Sequence, residues 1–291
     1  VLGLLLGTVD SPPLVILAYY GLLFAVATFF LGLEQRTLLA MAAVAAIVTP
    51  LASYGLRQYV DPAPVEEPGG SDLLVELFLT GTYPVLTWTT YLLAGMAAGR
   101  TDLRRWRGAF RLVVGGVVFA VAARVVSSWL LDAAGGVERL PGVRSAVEDT
   151  LARGMFGTTP RDEWRWLTVD APHSGTTLDL AHTVGTSLAV LGGCLLLAKV
   201  LPRVALVPFA AAGSMTLTLY SVHVLALSKD SPVLHDDRSE LWLAHVAVAL
   251  VLATLWRTTI GRGPLEALAA RLDRTARNSV SGRRRAESSR L

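Results

Sequence analysis

Five histidines and a small set of arginines carry most of the chemistry available to this 291-residue chain. His173 sits in Pro172-His173-Ser174-Gly175-Thr176, His182 opens an apolar run, His223 lies near the end of another, His245 is inside a third, and His235 falls in a polar segment. An imidazole titrates near neutrality and can act as general base, transient acyl carrier or proton relay. The competing reading of each is a hydrogen-bonded structural residue. No two histidines stand four residues apart, and the single cysteine, Cys194, lies within an apolar run where burial is expected, so no metal is expected. Arg100, Arg104, Arg105, Arg107 and Arg111 surround Asp102 and Trp106. Their guanidinium forks suit the phosphates of a cytosolic nucleotide cofactor, although a cluster that only fixes membrane topology has the same composition. Arg124 stands alone in an apolar run, either binding a ligand or substrate, or pairing and snorkelling.

The elements that must position these groups are written in the uncharged runs. Leu14–Leu33, Thr37–Leu56 and Leu77–Gly99 contain no charge; Leu112–Leu131 is interrupted only by Arg124; Leu180–Val200, Val204–Leu227 and the shorter Leu241–Trp256 follow. At about 1.5 Å rise per residue, about 20 residues cross the roughly 30 Å hydrocarbon layer. The expected fold is therefore all-α, a polytopic transmembrane bundle of about seven full spans preceded by a truncated first helix, Val1–Val9.

Composition agrees. The chain is 53% apolar and 17% charged. Counted with glycine in place of tyrosine, the apolar share is roughly 59%, against about 45–50% in soluble domains, which excludes disorder. One cysteine excludes an internal disulfide framework. The net charge of +3 hides a strong asymmetry. With Arg100–Arg111 placed in the cytoplasm, that side holds 17 of the 26 basic and 5 of the 23 acidic residues, and the outer side 8 and 18. This is the Lys/Arg bias of a multi-pass cell-membrane protein with a cytoplasmic C-terminus, and the basic pI needs no nucleic acid to explain it.

Residues 1–256 read as the bundle and 257–291 as a cytoplasmic tail. Two outer loops interrupt the bundle. Residues 57–76 include the acidic, Pro/Gly-rich Asp61–Gly70 and read as a solvated connector. Residues 132–179 hold Trp164, Trp166 and the Pro172–Thr176 segment, and a loop this long and aromatic reads as a structure over the bundle. In the tail, Leu265, Leu268 and Leu272 share a stripe with Arg271, Arg274 and Arg277 off it, a pattern suited to a helix on an anionic inner leaflet, with a frayed tail as the alternative. Disorder is expected beyond Ser279.

Three stretches together resemble bacterial membrane proteins related to heparan-α-glucosaminide N-acetyltransferase. They are Thr80-Gly81-Thr82-Tyr83-Pro84-Val85-Leu86-Thr87-Trp88 running on through Leu92-Leu93-Ala94-Gly95 to Gly99-Arg100; Pro172–Thr176 with the glycine-bearing run through Gly185 and Gly192-Gly193; and Gly213-Ser214-Met215 to Tyr220-Ser221-Val222-His223. Pro13–Gly21 is similar to an early helix of that group, so the resemblance covers nearly all of Leu14–Trp256. It implies a multi-pass acyltransferase that takes an acetyl or other acyl group from cytosolic acetyl-CoA or a similar acyl-CoA and passes it to a sugar or glycolipid on the outer face. The matching family region begins further upstream, so the chain reads as the C-terminal part of a longer protein.

On that reading His173 and His223 are the catalytic residues; Tyr83, Trp88, Arg124, His182 and Trp164 bind the acceptor or its transition state; and Arg100, Arg104, Arg105 and Arg107 hold the donor's phosphates. Pro84 is expected to break its helix near the site. Membrane lipids and an outer glycan are the expected partners, with self-association into a homo-oligomer left open. Two other classes compete. Arg124 and the glycine-rich runs suit a transporter or flippase for an anionic solute or lipid, although no inverted repeat is evident. A non-catalytic scaffold would tolerate loss of both catalytic histidines.

Overall fold

A computed structural model describes residues 1–11, 13–60, 70–228 and 239–288. The described residues form helices and turns with no strand. The helices are α1 (Leu2–Gly7), α2 (Leu17–Ala27), α3 (Gln35–Leu56), α4 (Gly70–Val75), α5 (Val85–Ala98), α6 (Trp106–Ala133), α7 (Arg144–Arg153), α8 (Thr177–Val200), α9 (Arg203–Gly213), α10 (Thr216–Ala226), α11 (Ser239–Thr259) and α12 (Pro264–Ser288). They divide into two compact units, one of Val1–Gly3 with Ile16–Val200, the other of Leu4–Val15 with Leu201–Leu291.

Among the described residues four segments are long and apolar enough to cross a membrane: Gln35–Tyr59, Trp106–Ala133, Thr177–Val200 and Trp242–Thr259. They suggest a membrane-embedded protein. The remaining expected spans are short or broken. Leu14–Leu33 yields a helical segment of only Leu17–Phe30. Leu77–Gly99 is cut at Gly81–Pro84, between a wide turn at Glu76–Thr80 and α5, because Pro84 has no amide hydrogen to offer and Gly81 turns the chain. Val204–Leu227 bends by 66° between α9 and α10. Uncharged length measures solubility in lipid; it does not see a break made by Pro or by a Gly-Ser pair such as Gly213-Ser214.

In the first unit the packing is built on small residues. On α6, Ala109, Gly116 and Ala120 are buried; Gly116 and Ala120 face Gly185 of α8, and Ala109 faces Gly192. A Cβ on Gly116 would lie 2.5 Å from the Gly185 carbonyl oxygen, and one on Gly185 would lie 2.5 Å from the Ala120 amide nitrogen. The two backbones therefore meet directly, as small-residue seams allow in apolar bundles. The α3 and α5 pair is sealed by Leu38, Ala42, Ala45, Leu93 and Ala97. Cys194, expected buried within its span, is exposed on α8, since hydropathy does not reveal which side of an apolar helix meets protein.

The expected outer loop 132–179 is a folded cap. α6 runs on to Ala133, and α7 packs through Val147 onto Leu140, Trp166, Val169 and Ala171. Loop 57–76 is shorter than expected. Arg57 is buried at the end of α3 and donates to the Thr159 carbonyl oxygen at 2.7 Å, while Arg161 donates back to the Arg57 and Val60 carbonyls. The intervening residues 61–69, which hold most of the expected acidic connector, lie outside the described residues.

In the second unit Ala211, Met215 and Ala253 form the core. α11 ends at Thr259, and Gly261 with φ +110° takes the left-handed turn that donates to the Trp256 carbonyl and closes the helix. α12 starts at Pro264, where a missing amide hydrogen costs nothing, and continues to Ser288, past the expected onset of disorder at Ser279.

Candidate functional site

The first unit gathers polar groups where α6 ends and α8 begins. Thr176 precedes α8 and caps it: its fully buried hydroxyl accepts from the Asp179 amide at 3.0 Å and donates to the Val169 carbonyl at 2.6 Å. Asp179, also buried, answers by accepting from the Gly175 amide at 2.9 Å and the Thr183 hydroxyl at 3.2 Å. This reciprocal cap pins the segment between Thr168 and Thr176 against the helix start.

That segment presents Asp170 to α6 and α8 together. Arg124 Nη1 donates to Asp170 Oδ1 at 2.7 Å, and the Ser127 hydroxyl reaches the same oxygen at 3.2 Å and the Thr168 carbonyl at 2.9 Å. The Asp170 side chain is 7% exposed whereas that of Arg124 is 64% exposed, so the pair is a buried acceptor held by a donor that reaches in from the side. The other carboxylate oxygen faces His182 Nδ1 at 4.0 Å. Nδ1 of His182 is buried and has no hydrogen-bond partner among the described residues. A carboxylate behind an imidazole is the arrangement that fixes its ring, and such contacts are often long before substrate binds.

The same segment carries His173 to a cluster of rings. His173, at φ +56°, is exposed, and its imidazole meets Tyr83 edge-on with centroids 6.0 Å apart. Tyr83 in turn meets Tyr19 at 5.5 Å and Trp88 at 5.0 Å, and Trp88 meets Tyr20 at 6.3 Å and Tyr91 at 5.2 Å. Tyr83 stands where it does because the Gly81–Pro84 break turns the chain just before α5. Gly157, with φ +94°, lies against the Gly81 and Thr82 carbonyls and donates to the His173 carbonyl at 2.8 Å, a close approach that leaves no room for a Cβ.

Of the expected site residues, the structure thus joins His173 with Tyr83 and Trp88, and Arg124 with His182 through Asp170. Sequence reasoning missed Asp170, Asp179 and Ser127. Trp164 is not part of either group: it is exposed and covered by the Arg165 guanidinium at 5.2 Å. His223 belongs to the second unit, where its Nδ1 lies 2.8 Å from Nε2 of His245, a pair of imidazoles sharing one hydrogen bond. His235 lies outside the described residues.

The arginines at the α5–α6 connection divide by partner. Arg100 donates to the Leu31 and Met96 carbonyls, and Arg105 pairs with Asp102 at 2.9 Å. The Arg104 carbonyl accepts from Lys199 Nζ at 2.7 Å. Arg107 has no carboxylate partner among the described residues. Arg124 lies 18 residues along α6 from Trp106, roughly 27 Å at 1.5 Å per residue, so the cluster and the Asp170 site occupy opposite ends of the helix. Among the described residues no group of three His, Cys, Asp or Glu is placed to hold a metal ion. No family model, curated protein or solved structure matches the chain.

Proposed function

We propose that the chain is a multi-pass membrane acyltransferase that moves an acetyl or other acyl group from cytosolic acyl-CoA to a sugar or glycolipid on the outer face. The observation that carries this reading is the convergence at one end of the first unit: the Asp170–His182 contact and the ring cluster of His173, Tyr83 and Trp88, both built on the single segment 168–176. In this scheme seven segments cross the bilayer, α2 and α5 as short spans and α9–α10 as one bent span, with the α5–α6 arginines and the C-terminus cytoplasmic and α12 lying on the inner leaflet. Tyr83 and Trp88 offer ring faces to an acceptor sugar. His173 attacks the thioester carbonyl and takes the acyl group as CoA leaves as the thiol; His182, beside Asp170, then takes the acceptor hydroxyl's proton as that oxygen attacks the acyl carbon and the His173 imidazole is released. Arg124 acts chiefly by holding Asp170 in place, a positioning role in place of the expected direct contact with substrate. Arg107 is the cluster member best placed to take a phosphate of the donor. His223, paired with His245 in the second unit, is assigned no step in this scheme.

Membranes holding the full-length protein and supplied with labelled acetyl-CoA or longer acyl-CoA should label an outer-face glycan or lipid. His182→Ala and His173→Ala should each lower labelling by about 100-fold or more, the usual worth of a general base. Absence of label with every donor refutes the proposal. A transporter or flippase is the second reading, favoured by the 66° break between α9 and α10, since broken helices line many translocation sites. It predicts movement of an anionic solute or lipid in proteoliposomes without CoA.

A further inference from the structure

A cavity of about 550 Å³ lies among α3, α5, α6 and α8, well within the roughly 300–1,000 Å³ of small-molecule sites. Its wall is apolar and made of small or branched side chains such as Ala46, Ala94, Phe119, Val184 and Leu188. The lining on α3 runs from Gln35 to Ala46, which is roughly 16 Å along the helix axis, so the space is long in the direction of the bundle. Polar groups collect at one end, where α3 and α6 begin: Gln35, Thr101 and Arg111. The Gln35 amide is already engaged, donating to the Thr101 hydroxyl at 2.8 Å and the Ala97 carbonyl at 3.1 Å. Arg111 has no carboxylate partner among the described residues, and neither does Arg107 one turn earlier on the same face of α6. Further along the wall Thr90 is 2% exposed, and its hydroxyl is buried without a hydrogen-bond partner.

An apolar slot with a single cationic end is complementary to one hydrocarbon chain bearing an anionic head. We infer that this cavity binds the acyl chain of a single-chain anionic amphiphile, with its carboxylate or phosphate at Arg111. The inference goes beyond the proposed transfer reaction and holds with or without it. It also bears on donor length, because an acetyl group would leave most of the slot empty. Leu180 and Ala181 at the other end of the lining immediately precede His182, so a chain entering from Arg111 points along the bundle toward the Asp170 site.

The test is equilibrium binding to the full chain in phosphatidylcholine nanodiscs, with four labelled probes of equal chain length: palmitate, palmitoyl lysophosphatidic acid, palmitoyl-CoA and neutral monopalmitoylglycerol. Saturable binding of an anionic probe above empty nanodiscs is expected, about tenfold tighter than the neutral one, the worth of one charge-assisted contact. Arg111→Gln should remove that preference and leave neutral binding unchanged. Gly115 lines the slot, and a Cβ there meets no atom within 4 Å, so Gly115→Phe can enter the space without disturbing the helix seam. It should abolish binding of all four probes with an unchanged helical circular-dichroism spectrum. The tightest anionic probe identifies the source as free fatty acid, lysophospholipid or acyl donor. Binding no greater than to empty nanodiscs, equal affinity for the neutral probe, or unaltered binding by the Gly115→Phe protein overturns the inference. Retained binding without any acyl transfer removes only the proposed reaction; transfer of acetyl with no chain binding removes only this site.

Discussion

Adjacent glycines on α6 and α8 should respond oppositely to the same one-carbon substitution. At Gly116 an added Cβ falls 2.5 Å from both the Gly185 carbonyl oxygen and the Ala189 amide nitrogen, which is 0.9 Å inside the 3.4 Å where ordinary contact begins. Both obstacles are backbone, so no rotamer change relieves them and the helices must separate along the seam. A radial gap of that order forfeits about a quarter to a half of each dispersion contact, and overpacking of this kind costs about 1–3 kcal/mol. At Gly115, one residue away, a Cβ meets nothing within 4 Å. Alanine in a helix is favoured over glycine by about 1 kcal/mol at both sites, so that gain cancels in the comparison. Gly116→Ala should therefore be less stable than Gly115→Ala by about 2–3 kcal/mol, the upper half of the overpacking range because the clash is with backbone. The pair Gly192→Ala and Gly193→Ala should repeat the pattern, since Gly192 meets the Ala109 carbonyl at 2.6 Å and Gly193 meets nothing. Reversible unfolding of purified protein in mixed micelles, followed by tryptophan fluorescence, measures these differences. Equal stabilities within each adjacent pair would refute the backbone-to-backbone seam.

Three further outcomes follow from the sites described. Arg124→Gln should cost about 2 kcal/mol by removing a charge-assisted bond from a buried carboxylate, and adding Asp170→Asn should restore part of it, read as a coupling energy in the double-mutant cycle. Thr176→Ala, which strips the cap of α8, should cost about 1–2 kcal/mol and raise amide exchange at Asp179 and the following turn. At Glu266, burial alone would raise the carboxyl pKa, but hydrogen bonds from the Thr218 hydroxyl and amide outweigh it and hold the group below its ordinary value. A lowered folded pKa adds stability that is complete above the ordinary carboxylate range and is lost as pH falls through the folded value. The hydrogen-exchange protection factor at the start of α12, taken against the intrinsic rate at each pH, should therefore fall on acidification, and Glu266→Gln should flatten that dependence; an unchanged profile in the variant would show that another group is responsible.

The helices that the sequence made legible are those whose apolar runs stay continuous, even where one, α3, carries Pro50 in its interior. Thr37–Leu56, Leu112–Leu131 and Leu180–Val200 match α3, α6 and α8 closely, since hydropathy over 20 residues is a property of the chain itself. Pro84 was a readable sign of a break, yet the break shortened the span it was expected only to disturb. Arg124 stood out because a charge in an apolar run demands a partner; Asp170 did not, because its burial is made by a segment 46 residues away folding over the end of α6. Thr176-Thr177-Leu178-Asp179 was a legible cap in retrospect, with a hydroxyl and a carboxylate three residues apart before an apolar run. The His223–His245 pair joins two helices 22 residues apart, and no local pattern encodes such a meeting.

The shortness of α5 has a consequence for water. Its 14 residues rise roughly 21 Å, about 9 Å less than the hydrocarbon layer of an average bilayer. The deficit falls at Gly81–Pro84, where irregular backbone carries polar groups that lipid cannot solvate. If α5 crosses the bilayer as proposed, either the bilayer thins beside it or water follows the chain down to Tyr83. A water-soluble acceptor would then meet the ring cluster at a hydrated inlet, without itself partitioning into lipid, and its access would vary with the thickness of the surrounding bilayer.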